Sequence, residues 1–133
     1  MVFNYDTKLI FMTSFTGKDM LKATIRAGNF GMMGTWGEAR LDTAFNSSNE
    51  LELHKVFYQI PVSEDIQITF GPELRQDDLL GVWPSSYPSS EIFVVLNQAD
   101  ASDTYSKQIG AGAGITWSKD KLIATTLLIA EDA

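Results

Sequence analysis

The run Met20-Leu21-Lys22-Ala23-Thr24-Ile25-Arg26-Ala27-Gly28 alternates with the two-residue period of a β-strand. Leu21, Ala23, Ile25 and Ala27 share one face, and Lys22, Thr24 and Arg26 share the other. The same pattern recurs over Trp36–Phe45, where Gly37, Ala39, Leu41, Thr43 and Phe45 oppose Glu38, Arg40 and Asp42. Such strands fit two environments. They can cover a soluble sandwich with their charges in water, or wall an aqueous channel with their apolar faces in lipid.

Composition excludes other classes more readily than it separates these two. A chain of 133 residues can bury a core as one domain, and its apolar content argues against disorder. A formal charge of -7 opposes nucleic acid as a partner, because phosphate binding needs a basic surface. The absence of cysteine excludes disulfides and thiolate metal sites. No apolar run reaches the roughly 20 residues of a transmembrane helix, so strands would have to do any crossing. Met1–Asp6 has no basic start, apolar stretch or cleavage site, so no signal peptide is expected in the chain as it stands.

Working outward, seven strands are expected. The first covers Tyr5–Thr16 and turns through Thr16-Gly17-Lys18-Asp19 into Met20–Gly28. Trp36–Phe45 is third, and Asn46-Ser47-Ser48-Asn49 turns into Glu50–Ile60. Ile66–Gly71, Lys107–Trp117 and Leu122–Ala130 complete the order. The fourth does not alternate cleanly: Leu51, Leu53 and Lys55 share one face, and Val56, Tyr58 and Ile60 the other. A bulge near His54-Lys55 would restore the pattern. Phe15, Phe45 and Trp117 stand at strand ends, where a membrane barrel carries aromatic girdles and a soluble sheet carries rim plugs. A helical turn or two is expected only near Glu91–Leu96. The fold class is all-β, an antiparallel meander.

Chemistry-bearing motifs are weak. Gly110-Ala111-Gly112-Ala113-Gly114 lacks the strand–turn–helix setting of a dinucleotide loop; its alternate glycines instead clear one strand face for something packed close. His54 is the only histidine, so it has no second imidazole to work with. Asp77-Asp78, and Asp100 with Asp103, do not follow a calcium-loop pattern. Glu38, Asp42 and Glu52 have no fixed separation for glycoside chemistry. No enzyme, metal or cofactor is expected. Residues 72–106, without strand periodicity, form a long loop whose apolar stretch Ile92–Leu96 needs a surface to cover.

Four motifs in order carry a resemblance. Ser14–Leu21 followed by Arg26-Ala27-Gly28-Asn29-Phe30, Phe57–Val62, Gly71–Leu80 with Val82–Ser85 and Tyr87-Pro88, and Gly110–Gly114 resemble cyanobacterial outer-membrane porins of the carbohydrate-selective (iron-uptake) family. The resemblance implies an arc of a transmembrane porin β-barrel, outer-membrane lipid around it and a homotrimer in the full-length protein. It implies passive diffusion of small solutes or ions, with carbohydrate or inorganic iron as candidates. Lys22, Arg26, Glu38, Arg40 and Asp42 would line the pore, and Arg75, Asp77 and Asp78 would belong to a constriction loop facing Arg26 and Arg40. The family's signal peptide, surface-layer-homology domain and further strands are not found in residues 1–133, so these are read as a partial barrel domain. Two alternatives stay open: a soluble β-barrel or sandwich binding a small ligand, and a secreted carbohydrate-active sheet using its carboxylates and Trp83.

Overall fold

The computed structural model describes residues 3–31, 41, 43–83, 85, 93, 96, 98, 104–105 and 107–131. Six strands, β1 (Asp6–Thr13), β2 (Met20–Gly28), β3 (Glu52–Pro61), β4 (Ile66–Leu74), β5 (Gly110–Lys119) and β6 (Leu122–Ala130), form one open antiparallel sheet in sequence order. A short helix, α1 (Gln76–Leu79), follows β4. The all-β meander is as expected from the sequence.

The expected third strand falls mostly outside the described residues. Leu41 makes an isolated bridge to Phe93, and residues 43–45 are not strand. Of the expected turn near Glu91–Leu96, only Phe93 and Leu96 are described.

The register of β3–β6 fixes two faces. Tyr58, Phe70, Ala113 and Leu128 form one row, Ile60, Ile68, Ile115 and Thr126 the next, and Ile66, Trp117 and Ala124 a third. These three rows are apolar but for Thr126 and the Tyr58 hydroxyl, and Lys119 opposite Leu122 continues the face at its end; yet Leu128 is 76% exposed, Ile115 51% and Phe70 47%. The intervening rows are Gln59, Thr69, Gly114 and Leu127; Pro61, Gln67, Thr116 and Thr125; and Gly71, Gly112 and Ile129. This second, covered face carries α1. The described core is small, Phe57, Leu74 and Leu79, with Met20, Leu127 and Ile129 packed against it.

The alternate glycines explain that cover. A β-carbon on Gly112 would stand 3.0 Å from Leu74 Cδ1, and one on Gly114 would stand 3.2 Å from Leu79 Cδ2. The glycines clear a track, and the two leucines fill it. A β-carbon would also crowd a carbonyl of β6 at two of these glycines, Leu128 O at Gly112 and Ala130 O at Gly110.

Two details of register differ from the sequence reading. The β3 irregularity lies between Val56 and Tyr58, after Lys55 rather than at it. β4 continues through Pro72 to Leu74, with its own irregularity between Gly71 and Leu74, so the long connection starts at Arg75. Proline lacks a ladder donor, and an interrupted register is where a strand tolerates it.

The connections differ greatly in length. Residues 14–19, 62–65 and 120–121 make short turns, whereas 29–51 and 75–109 are long. In an antiparallel meander alternate connections lie at the same end of the sheet. Gly17 takes φ +81° in the first turn, a conformation that an L side chain rarely adopts.

The chain forms two compact units, residues 1–9, 25–52 and 84–105, and residues 10–24, 53–83 and 106–133. In the first, Ser47 ties the 46–50 turn to the end of β2: its backbone N–H donates to Gly28 O at 3.0 Å, while its Oγ accepts from Gly28 N at 3.1 Å. The second holds the two-faced β3–β6 sheet.

Candidate polar-face site

Three polar clusters are built into the sheet and its turns. The first joins Asp6 of β1 to Arg26 of β2. Arg26 Nε donates to Asp6 Oδ1 at 2.8 Å and Nη2 to Oδ2 at 2.5 Å, a two-pronged bond with side chains 6% and 5% exposed. The guanidinium also stands 4.3 Å from the Phe45 ring centroid. Phe45 therefore serves as a platform for a cation. Planar stacking and a fork of donors are what arginine supplies and lysine does not.

The second cluster centres on Asp19. Its carboxylate accepts from Ser14 Oγ at 2.8 Å, Phe15 N at 3.1 Å, Thr16 N at 2.7 Å, Thr16 Oγ1 at 2.5 Å and the Tyr58 hydroxyl. The Thr16 hydroxyl, then the Tyr58 hydroxyl, hold it far below the usual carboxylate range, although burial pushes the other way. Tyr58 also packs its ring edge-on to Phe70 at 5.9 Å and tilted against Phe15 at 6.3 Å. A carboxylate so fully satisfied has no lone pair directed at a reacting group. Its role is to close the 14–19 turn.

The third cluster binds α1 to the sheet. Lys55 Nζ lies 2.6 Å from Asp78 Oδ2 and 3.5 Å from Asp77 Oδ1, and Arg75 Nη2 lies 2.5 Å from Asp77 Oδ2. Asp78 also accepts from its own Arg75 N–H at 3.0 Å, closing the helix start. Burial raises the Asp77 carboxyl, but Arg75 and Lys55 outweigh it and leave it below its ordinary value. Past the helix, Thr116 Oγ1 donates to Leu79 O at 3.3 Å and Gly81 N donates to Thr125 Oγ1 at 3.2 Å. Lys107 stands 5.9 Å from the Trp83 ring centroid.

Of the residues expected to line a pore, Lys22 is half-buried with its ammonium 5.4 Å from the Phe57 ring centroid, and Arg26 is the buried partner of Asp6. Glu38, Arg40 and Asp42 lie outside the described residues. Arg75, Asp77 and Asp78 do come together, but the sheet residue that answers them is Lys55.

Lys55, Asp6 and the Asp19–Tyr58 pair escaped the sequence reading. The one available signal was Lys55 itself, a charge sharing a face with Leu51 and Leu53. Among the described residues no group of three or more His, Cys, Asp or Glu could hold a metal ion, and no helix is long and apolar enough to cross a membrane.

No family model matches the chain, and no solved structure does. The chain is 24% identical over 119 residues to an uncharacterized protein of Synechocystis sp., sll0772. The match covers 86% of this chain and 22% of that protein, so the chain spans about a fifth of its relative's length.

Proposed function

We propose that the sheet is an arc of a transmembrane β-barrel in the outer membrane, completed by further strands, that lets small solutes or ions diffuse passively. One observation carries this reading: the sheet is apolar on its exposed face and holds its charged and polar groups on the other. A soluble sheet hides its apolar face under a second layer. Among the described residues no such layer covers Phe70, Ile115 and Leu128, and lipid is the solvent that suits them.

The connection lengths agree with this reading. Barrels of the outer membrane join strands by short turns at one end and longer loops at the other. Residues 75–83, folded onto the covered face, would narrow the opening, and their charges would bear on which ions pass. Carbohydrate and inorganic iron remain the candidate cargoes from the family resemblance, as does trimeric assembly.

Neighbouring positions on β3 provide the test. In lipid vesicles, Gln59→Cys in the full-length protein should react with a water-soluble maleimide, and Ile60→Cys should not. Ready labelling of Ile60→Cys together with protection of Gln59→Cys would reverse the faces and favour the soluble alternative. Planar bilayers should show discrete conductance steps from the same preparation.

A further inference from the structure

Lys55 occupies an unusual position for a lysine. Its side chain is 9% exposed, and its ammonium reaches two carboxylates on a segment that belongs to no strand. Burying a cation is unfavourable unless its partners are close, so Lys55 and the Asp77–Asp78 pair depend on each other. Counting Lys55, Arg75, Asp77 and Asp78 together, two cations offset two anions.

The same segment is fastened elsewhere by uncharged contacts. Leu74 and Leu79 fill the track over Gly112 and Gly114, and Thr116 and Thr125 bond to the backbone of residues 79 and 81. These contacts are neutral, and the two leucines are buried. The contact to Lys55 is an ionic link from α1 to β3, beside the apolar packing of Leu79 with Phe57.

Building on the proposed barrel, we infer that Lys55 is a positioning and selectivity residue: it latches α1 against the wall and cancels one of the two carboxylate charges that α1 presents. Removing it releases α1 and leaves the opening with an unmatched negative charge. Released, the segment no longer narrows the passage, and the unmatched carboxylate draws cations over anions in a low-dielectric mouth.

The experiment has two independent arms on the full-length protein. Hydrogen exchange read by mass spectrometry follows the amides of residues 75–83 in detergent, with residues 122–130 as internal control. Lys55→Met should speed exchange tenfold or more in 75–83 and leave 122–130 unchanged. Lys55→Gln combined with Asp78→Asn, which restores charge balance, should return most of the protection.

The second arm is the reversal potential across a salt gradient. Lys55→Met should move it toward cation preference with a larger unit current, Asp78→Asn should move it toward anion preference, and the double variant should lie near wild type. Exchange in 75–83 that is unchanged in Lys55→Met overturns the latch. So does a double variant no better protected than the single. If the wild type forms no channel, the barrel reading fails, and the exchange arm still decides whether Lys55 holds α1.

Discussion

The open and covered faces of β3–β6 are made from alternate residues of the same strands, yet they solve opposite problems. On the open face Ile60, Ile115 and Leu128 present apolar surface that nothing in the described structure meets. On the covered face Thr116, Thr125 and the glycine track receive α1, and each charge drawn beneath is matched, Lys55 by Asp78 and Arg75 by Asp77. Asp6 and Arg26, in the first compact unit, obey the same rule. The difference teaches that burial here follows a polar logic. The covered face holds matched ions beside a small apolar core, and the open face shows hydrocarbon.

Breaking a matched pair should be the most damaging change. Arg26→Met strands the Asp6 carboxylate, and loss of one member of a buried pair costs about 3–5 kcal/mol. The paired replacement Arg26→Met with Asp6→Leu should recover much of that loss, measured by urea unfolding in detergent or vesicles. A double variant as unstable as the single would mean that the charges are not what holds β1 to β2.

Charge placed on the open face comes next. Ile115→Lys should cost about 2–4 kcal/mol in a bilayer, whereas Gln67→Lys on the covered face should cost under about 1 kcal/mol. Equal penalties would erase the distinction between the faces. Volume separates them more gently. Gly114→Val drives methyls into Leu79 and should cost about 1–3 kcal/mol, while Ala113→Val beside it should stay within about 0.5 kcal/mol. Thermal melts of the two variants, read side by side, decide this.

The smallest effect belongs to Asp19. Its carboxyl is depressed in the folded state, so its contribution is complete above the ordinary value of 3.8 and is lost as pH falls below that toward the folded value. Stability of the wild type should therefore decline between roughly pH 5 and pH 2 more steeply than that of Asp19→Asn, which lacks the titrating group. Parallel curves would remove Asp19 from the account of the 14–19 turn.

The strands most legible in the sequence are those with clean alternation and turn residues on both sides. β2 and β6 have the bounds that the sequence implies, Met20–Gly28 and Leu122–Ala130. The glycine alternation also announced a close approach, though not that Leu74 and Leu79 would make it. Pro72 misled because proline usually ends a strand, and here the register is already broken beside it. Lys55 could not be read because its partners lie more than 20 residues away (Asp77 is 22 residues on) and are fixed by how the chain folds back after β4. Both members of the Arg75–Asp77 bridge were legible as charges, but Arg26 was read without Asp6, and Asp77 and Asp78 without Lys55.

The inequality of the connections bears on how such a sheet would enter a membrane at all. Whichever ends lead must drag their loops through hydrocarbon, and every peptide group and charge carried across adds to the barrier. Residues 62–65 bring Glu64 and Asp65, and residues 120–121 bring Asp120 and Lys121; residues 29–51 and 75–109 bring far more polar backbone. In the proposed outer-membrane barrel the short turns stay on the periplasmic side and the long connections come to lie on the outer side, so residues 29–51 and 75–109 are what insertion has to carry across. The costliest passage for such an arc is then that of its two long connections, not that of its turns.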